Sequence, residues 1–416
     1  MCCSLRSSGM KVTPSRLAAS LALITAGFFP QAYGSAVSDS YQQYQLASSQ
    51  GNDQQALSYA KAAVEESNFS SSNEPENWLK LNYNLALAYA KTGNYEQATE
   101  QFERVIALSE DLHGKYHIQT YAAKLELVRL YEGQLINGMS KREKLAHQRL
   151  VQRLLLNLDE AEKAHPEDAA QLYYLVSTQV LQNYTAPVST SQAQKIVERG
   201  VELAKATWGD NDTRTLEQQF LLGKRLFITR DYNDAIAQLN MVAHALDTHL
   251  NYSHPWSLQA HALLSEAYMR KGNVELANYH NQQISDMTPS QQDLAPIPLL
   301  RERPAYPNID QRMREPASVQ IKFDLSDEGQ VVNARVLGID GSHYFAESAL
   351  NAVKQWRYAP KFENGEAVAT SGLTVNVDFA ERRNSTIGHF DGYNPDSQSR
   401  HLDSAAYRVV DNKSTK

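Results

Sequence analysis

The chain has 416 residues, 42% of them hydrophobic and 21% charged, which is ordinary globular chemistry with length for two or three domains and their cores. Its formal net charge is −7, and −10 without Arg6, Lys11 and Arg16, so composition argues against the basic face of a nucleic-acid binder. Cys2 and Cys3 are the only cysteines and lie ahead of the first apolar run, which excludes disulfides and thiol chemistry from everything after it.

Residues 1–34 read as a targeting segment. Basic Lys11 and Arg16 precede the apolar run Leu17–Phe29, and Ala32-Tyr33-Gly34 offers the small residues of a cleavage site. A run of thirteen residues falls short of the about 20 that a spanning helix needs. A cleaved secretory signal is the expectation, and an uncleaved membrane anchor the alternative.

Residues 35–290 repeat themselves. Gly51 and Gly93 are 42 residues apart, as are Ala56 and Ala98, and Leu85 and Tyr89 return as Leu127 and Tyr131. Val180, Leu222 and Leu264 form a second series with the same spacing, as do Ala193, Ala235 and Ala277, displaced from the first series by 11 residues. The slip lies between Glu132 and Ala169, where Lys141–His165 reads as one long helix. The clearest unit is Tyr83-Asn84-Leu85-Ala86-x-x-Tyr89-x-x-x-Gly93-Asn94-Tyr95-x-x-Ala98-x-x-x-Phe102. Gly93 suits a turn between two helices, Ala98 allows them to cross closely, and Tyr89, Tyr95 and Phe102 fill the space between. This unit resembles a tetratricopeptide (TPR) repeat, and the long period resembles the kinesin-light-chain variant. Arg230 and Ser140 stand where that pattern places a turn glycine. The resemblance implies an all-α superhelix of about five to six repeats whose groove binds a protein.

Residues 291–303 read as a linker stiffened by Pro296 and Pro298, ahead of Pro304. A second domain, residues 304–380, then opens with Tyr306-Pro307. Val319, Ile321, Phe323 and Leu325 alternate with polar residues as in a half-buried strand, Asp327-Glu328-Gly329 is turn chemistry, and Val332, Ala334 and Val336 resume the alternation. Phe345, Ala349, Ala352, Val353 and Trp356 form a helical stripe. After Pro360 and Asn364-Gly365, Leu373, Val375, Val377 and Phe379 make a third strand, with Thr374, Asn376 and Asp378 facing outward. Residues 381–416 are polar and read as a disordered tail, in which 405–410 is a minor candidate for a short strand.

The Tyr-Pro opening, Asp327-x-Gly329-x-Val331, Ala349-Leu350-x-Ala352-Val353-x-x-Trp356-Arg357-Tyr358-x-Pro360, Asn364-Gly365 and Val375-x-Val377-x-Phe379 together resemble the C-terminal domain of TonB family proteins. Asp310, Arg314 and Ala317 depart from the alanine and two glycines usual after Tyr-Pro. The resemblance implies a small α+β (ββαβ) domain in the periplasm. It further implies that the last strand, Leu373, Thr374, Val375, Asn376, Val377, Asp378 and Phe379, engages an outer-membrane transporter or another TonB-system component by strand addition, since an unpaired strand edge is a template for another chain. Energy-transducing members carry a histidine in an uncleaved N-terminal helix and a Pro-rich spacer, and this sequence has neither. An adaptor or scaffold is therefore expected, with a membrane-anchored transducer as the alternative.

Signs of catalysis are few. Gly-x-Ser-x-Gly, His-Glu-x-x-His and Walker-type loops are absent from the sequence. His244, His249, His254, His261 and His280 lack metal-ligand spacing. Neither an enzyme, a cofactor nor a metal site is expected, and Trp208 and Trp256 are expected to plug helix ends.

Overall fold

The computed structural model describes residues 35–67, 69, 73–135, 140–181, 188–289, 293–301, 304–305, 307, 317–379 and 409–411. Residues 1–34, read above as a targeting segment, Tyr306 of the opening motif and most of residues 381–416 lie outside them. The described residues fall into two compact units divided between Asp168 and Ala169, inside the interval where the repeat changes phase.

The first unit is helical: α1 Ser35–Ser49, α2 Asp53–Glu66, α3 Pro75–Lys91, α4 Tyr95–His113, α5 Ile118–Leu135, α6 Lys141–Leu156 and α7 Leu158–Ala164. The second begins with α8 Ala169–Val180, α9 Thr190–Trp208, α10 Thr213–Ile228, α11 Tyr232–His249, α12 Pro255–Arg270 and α13 Val274–Ser285. Hairpins with the same turn occur in both units. Gly51, Gly93, Arg230 and Gly272 take φ of 72°, 76°, 66° and 76°. The N–H after each donates to the carbonyl five residues back, as in Asn94 to Tyr89 at 3.0 Å and Asp231 to Leu226 at 2.9 Å. This is the Schellman stop, which satisfies the last carbonyls of a helix by one left-handed residue. Ala56, Ala98, Ala235 and Ala277, each five residues on, are at most 1% exposed, so small side chains sit where the paired helices cross. Between α3 and α4, Tyr83 meets Phe102 edge-on at 6.1 Å.

The expected helix over 141–165 is two helices. Asn157, at φ −99° and ψ 6°, leaves the helical region between α6 and α7, as suits a side chain that competes for backbone hydrogen bonds. Ser140 does not take the left-handed turn either; it N-caps α6 in a reciprocal pair with Glu143.

The rest of the second unit is a small α+β domain: β1 Ile297–Leu300, β2 Ala317–Leu325, β3 Val331–Asp340, α14 Tyr344–Val353, β4 Arg357–Ala359, β5 Lys361–Glu363, β6 Glu366–Val368, β7 Thr370–Phe379 and β8 Val409–Asp411. The main sheet is antiparallel in the order β3-β2-β7-β8. Val319, Ile321 and Phe323 of β2, Val375, Val377 and Phe379 of β7, and Phe345, Ala349 and Val353 of α14 close one core around Trp356, which is wholly buried. β5 and β6 form the hairpin turned by Asn364-Gly365.

Three features differ from the pattern read in the sequence. The linker is part of the fold: β1 pairs with β4, its Leu299 is fully buried, and it packs on α12. In β3 the inward residues are Val331, Ala334 and Val336, whereas Val332 is 40% exposed. Asn333, at φ 54°, is the cause, because Asp324 pairs with Val332 and Lys322 with Arg335, so one extra residue is looped into β3. Finally, the tail supplies β8, which pairs with β7.

Candidate functional site

Strand β7 is organised by what lies on its two sides. Toward β2 it is paired from Leu373 opposite Phe323 to Phe379 opposite Ala317, and again at Thr370 opposite Leu325 across a one-residue shift in register. Alternation then turns Val375, Val377 and Phe379 into the core, where Phe379 meets Phe345 at 4.6 Å, and leaves Thr374, Asn376 and Asp378 half-buried on the other face. Asp378 accepts a hydrogen bond from Ser318 Oγ at 2.6 Å. The start of the strand is held by Asp324, whose carboxylate accepts Gly372 N–H at 2.8 Å and Asn333 Nδ2 at 3.0 Å. These bonds, the Gly372 one first, hold the Asp324 carboxyl below its ordinary range. One carboxylate thus fixes both the bulge in β3 and the entrance to β7, which sequence periodicity does not reveal.

On its far side β7 meets β8 over three residues: Val375 opposite Asp411, Asn376 opposite Val410, Val377 opposite Val409. Among the described residues, 370–374 and 378–379 have no strand on that side. The β3 edge, with Val332, Leu337 and Ile339 exposed, is the other unpaired margin of the sheet among the described residues. Pro307 of the opening motif is described and half-buried, and the neighbouring Ala305 carbonyl accepts Ser348 Oγ of α14. Chemically, β7 offers the backbone N–H and C=O groups of a strand edge.

His249, His254, His261 and His280 have structural partners. His254 Nδ1 accepts Trp256 N–H at 3.1 Å and caps α12, and His249 Nδ1 lies 2.7 Å from the Ala245 carbonyl. Asp247 Oδ2 lies 2.9 Å from His261 Nε2, whose Nδ1 is 2.8 Å from His280 Nδ1, and Ser257 Oγ donates to Asp247 Oδ1 at 2.5 Å. Burial, and then the neighbouring His261, push the His280 imidazole down to about 4. Since a carboxylate only accepts, His261 carries its proton on Nε2, and this chain stitches α11, α12 and α13 together. Trp208 closes the end of α9, with Arg214 3.8 Å above its ring and Tyr174 edge-on at 5.9 Å, and Trp256 stacks on Phe220 at 6.3 Å.

Two family models match the chain. Residues 302–380 match the Gram-negative bacterial TonB protein C-terminal family, and residues 80–112 match the tetratricopeptide repeat. Escherichia coli TonB is 33% identical over 84 residues, covering 20% of this chain and 33% of that protein. Vibrio cholerae TonB is 30% identical over 98 residues, covering 21% and 40%. The chain thus spans about a third of the length of such relatives. Among solved structures, the TPR-like repeats of a kinesin light chain from Podosopora anserina are 17% identical, covering 61% of this chain and 94% of that one, with a TM-score of 0.29. Pseudomonas aeruginosa pilF is 15% identical, covering 60% and 90%, with a TM-score of 0.38. The chain carries tetratricopeptide repeats followed by a TonB C-terminal domain, both of them protein-interaction modules. No described helix is long and apolar enough to cross a membrane.

Proposed function

We propose that this protein is a periplasmic adaptor of a TonB-type transport system. Its C-terminal domain takes up a strand from an outer-membrane transporter or another envelope partner along β7, Leu373–Phe379, while its helical repeats hold a second protein. The observation that carries this reading is the short pairing of β7 with β8. Among the described residues, this ten-residue strand meets three residues of a distant tail on its far side, which leaves most of its backbone groups there to an incoming chain. Displacing so short a strand costs few hydrogen bonds, each worth about 1 kcal/mol net. Export by a cleaved leader completes the reading.

The test locks the edge. Asn376→Cys with Val410→Cys places two thiols at directly opposed positions of an antiparallel pair, within reach of a disulfide. The oxidised protein is expected to lose capture of outer-membrane transporters from a detergent-solubilised envelope extract, and reduction to restore it. Equal capture in both redox states would show that partners do not enter at β7.

A further inference from the structure

Three histidines and three carboxylates, from distant parts of the sequence, meet at one end of the first unit. α4 ends at His113, whose ring stacks on His117 at 4.9 Å, and His117 meets His165 edge-on at 5.2 Å. His113 Nε2 is closed off from solvent and lies 3.4 Å from Glu76 Oε1, yet makes no hydrogen bond among the described residues. His165, Glu167 and Asp168 come from the turn after α7, which Asp168 N–H closes on the His165 carbonyl at 3.1 Å. One donor atom from each of these three lies within 4.8 Å of the other two.

We propose that His165, Glu167 and Asp168 form a binding site for a divalent first-row transition ion of the zinc class. The donor set decides the class: an imidazole nitrogen beside two carboxylates suits zinc, cobalt or nickel, whereas magnesium and calcium favour oxygen alone. Bonds of about 2.0–2.2 Å need the donors to draw together by roughly 1 Å. The groups that must move are free to do so, since the Glu167 side chain is 68% exposed and that of His165 27%. The turn, begun by His165-Pro166, holds all three on one short loop before any ion arrives.

Surroundings reinforce the choice of a cation. α4 directs the negative end of its dipole toward the cluster at His113, and Glu76 adds a third carboxylate beside it. His117 has a supporting place. Its Nδ1 accepts Gln119 N–H at 3.3 Å at the start of α5, so its proton sits on Nε2, fit to donate to a ligating carboxylate. Helix capping alone accounts for His117. It accounts neither for the buried, unbonded nitrogen of His113 nor for one imidazole and two carboxylates gathered on a four-residue turn.

The test is equilibrium dialysis of the full chain against micromolar Zn²⁺ in excess Mg²⁺, with bound metal measured by plasma mass spectrometry. One ion per chain is expected, and Glu167→Gln and Asp168→Asn, on the surface turn, should each weaken binding at least about tenfold. Loaded with Co²⁺ instead, the chain should show visible absorption that His165→Gln changes while His249→Gln does not. Lack of stoichiometric uptake, or uptake unaltered in His165→Gln and Asp168→Asn, would overturn the site.

Discussion

Gly329 allows a sharp test of how the TonB-type domain is assembled. It sits in the β2–β3 turn at φ +75°, its N–H donating to Ser326 at 3.0 Å and its carbonyl accepting Tyr358 N–H at 2.9 Å. A Cβ at this position would lie 1.8 Å from the Tyr358 carbonyl oxygen, 2.8 Å from its carbon and 3.3 Å from Pro360 N, all of them backbone atoms. Gly365, in the β5–β6 turn, has a similar φ of +83° but nothing within 4 Å of the same position. Alanine at either site meets the left-handed penalty, about 1 kcal/mol. Only Gly329→Ala must also push the turn away from β4, losing the Tyr358 hydrogen bond, about 1 kcal/mol. Loosening Tyr358 against Phe323 and Trp356 adds at least about another 1 kcal/mol. The expectation is about 1 kcal/mol for Gly365→Ala and about 3 kcal/mol or more for Gly329→Ala, the sum of these contributions. Hydrogen exchange of β2 and β7 peptides in the full chain, read by mass spectrometry, measures both. Equal destabilisation by the two substitutions would refute the argument that backbone contact between the turn and β4 demands glycine at 329.

Two further outcomes follow from the repeats. Arg230 occupies the left-handed position that glycine fills at 51, 93 and 272, so Arg230→Gly should stabilise the second unit by up to about 1 kcal/mol in urea denaturation. His280 is held near 4 by burial and by His261, below its unfolded value, so the unfolded chain binds the extra proton between about pH 4 and 6.5. Stability contributed by His280 is therefore present above about pH 6.5 and falls as pH drops toward 4, by about 2 kcal/mol at pH 5 if no other group compensates. Denaturation at pH 7.5 and 5 checks this, and His280→Gln should flatten the difference; an unchanged slope in that variant would assign the effect elsewhere.

How far the sequence speaks depends on the range of the interaction. Gly93 and Ala98 declare a helical hairpin because a left-handed stop and a close crossing are demands met within ten residues. Asn157 was legible only in part: residues around it have helical periodicity, and the break depends on backbone angles that periodicity does not encode. In the C-terminal domain the inward faces of β2 and β7 follow from alternation, but Val331 and Val332 exchange faces because Asn333 is looped out, a one-residue slip that only the pairing with β2 reveals.

The amino-acid sequence by itself determined the repeats, the order of strands and helix, and the residues of the Trp356 core, since each rests on local periodicity and turn chemistry. Tertiary structure alone decided that Ile297–Leu300 pairs with β4, that Val409–Asp411 lies on β7, and that His113, His117 and His165 meet. Apart from His113 with His117, those contacts join residues tens of positions apart, and their partners are chosen by how packed elements bring distant backbone and side chains within reach, which no local pattern records.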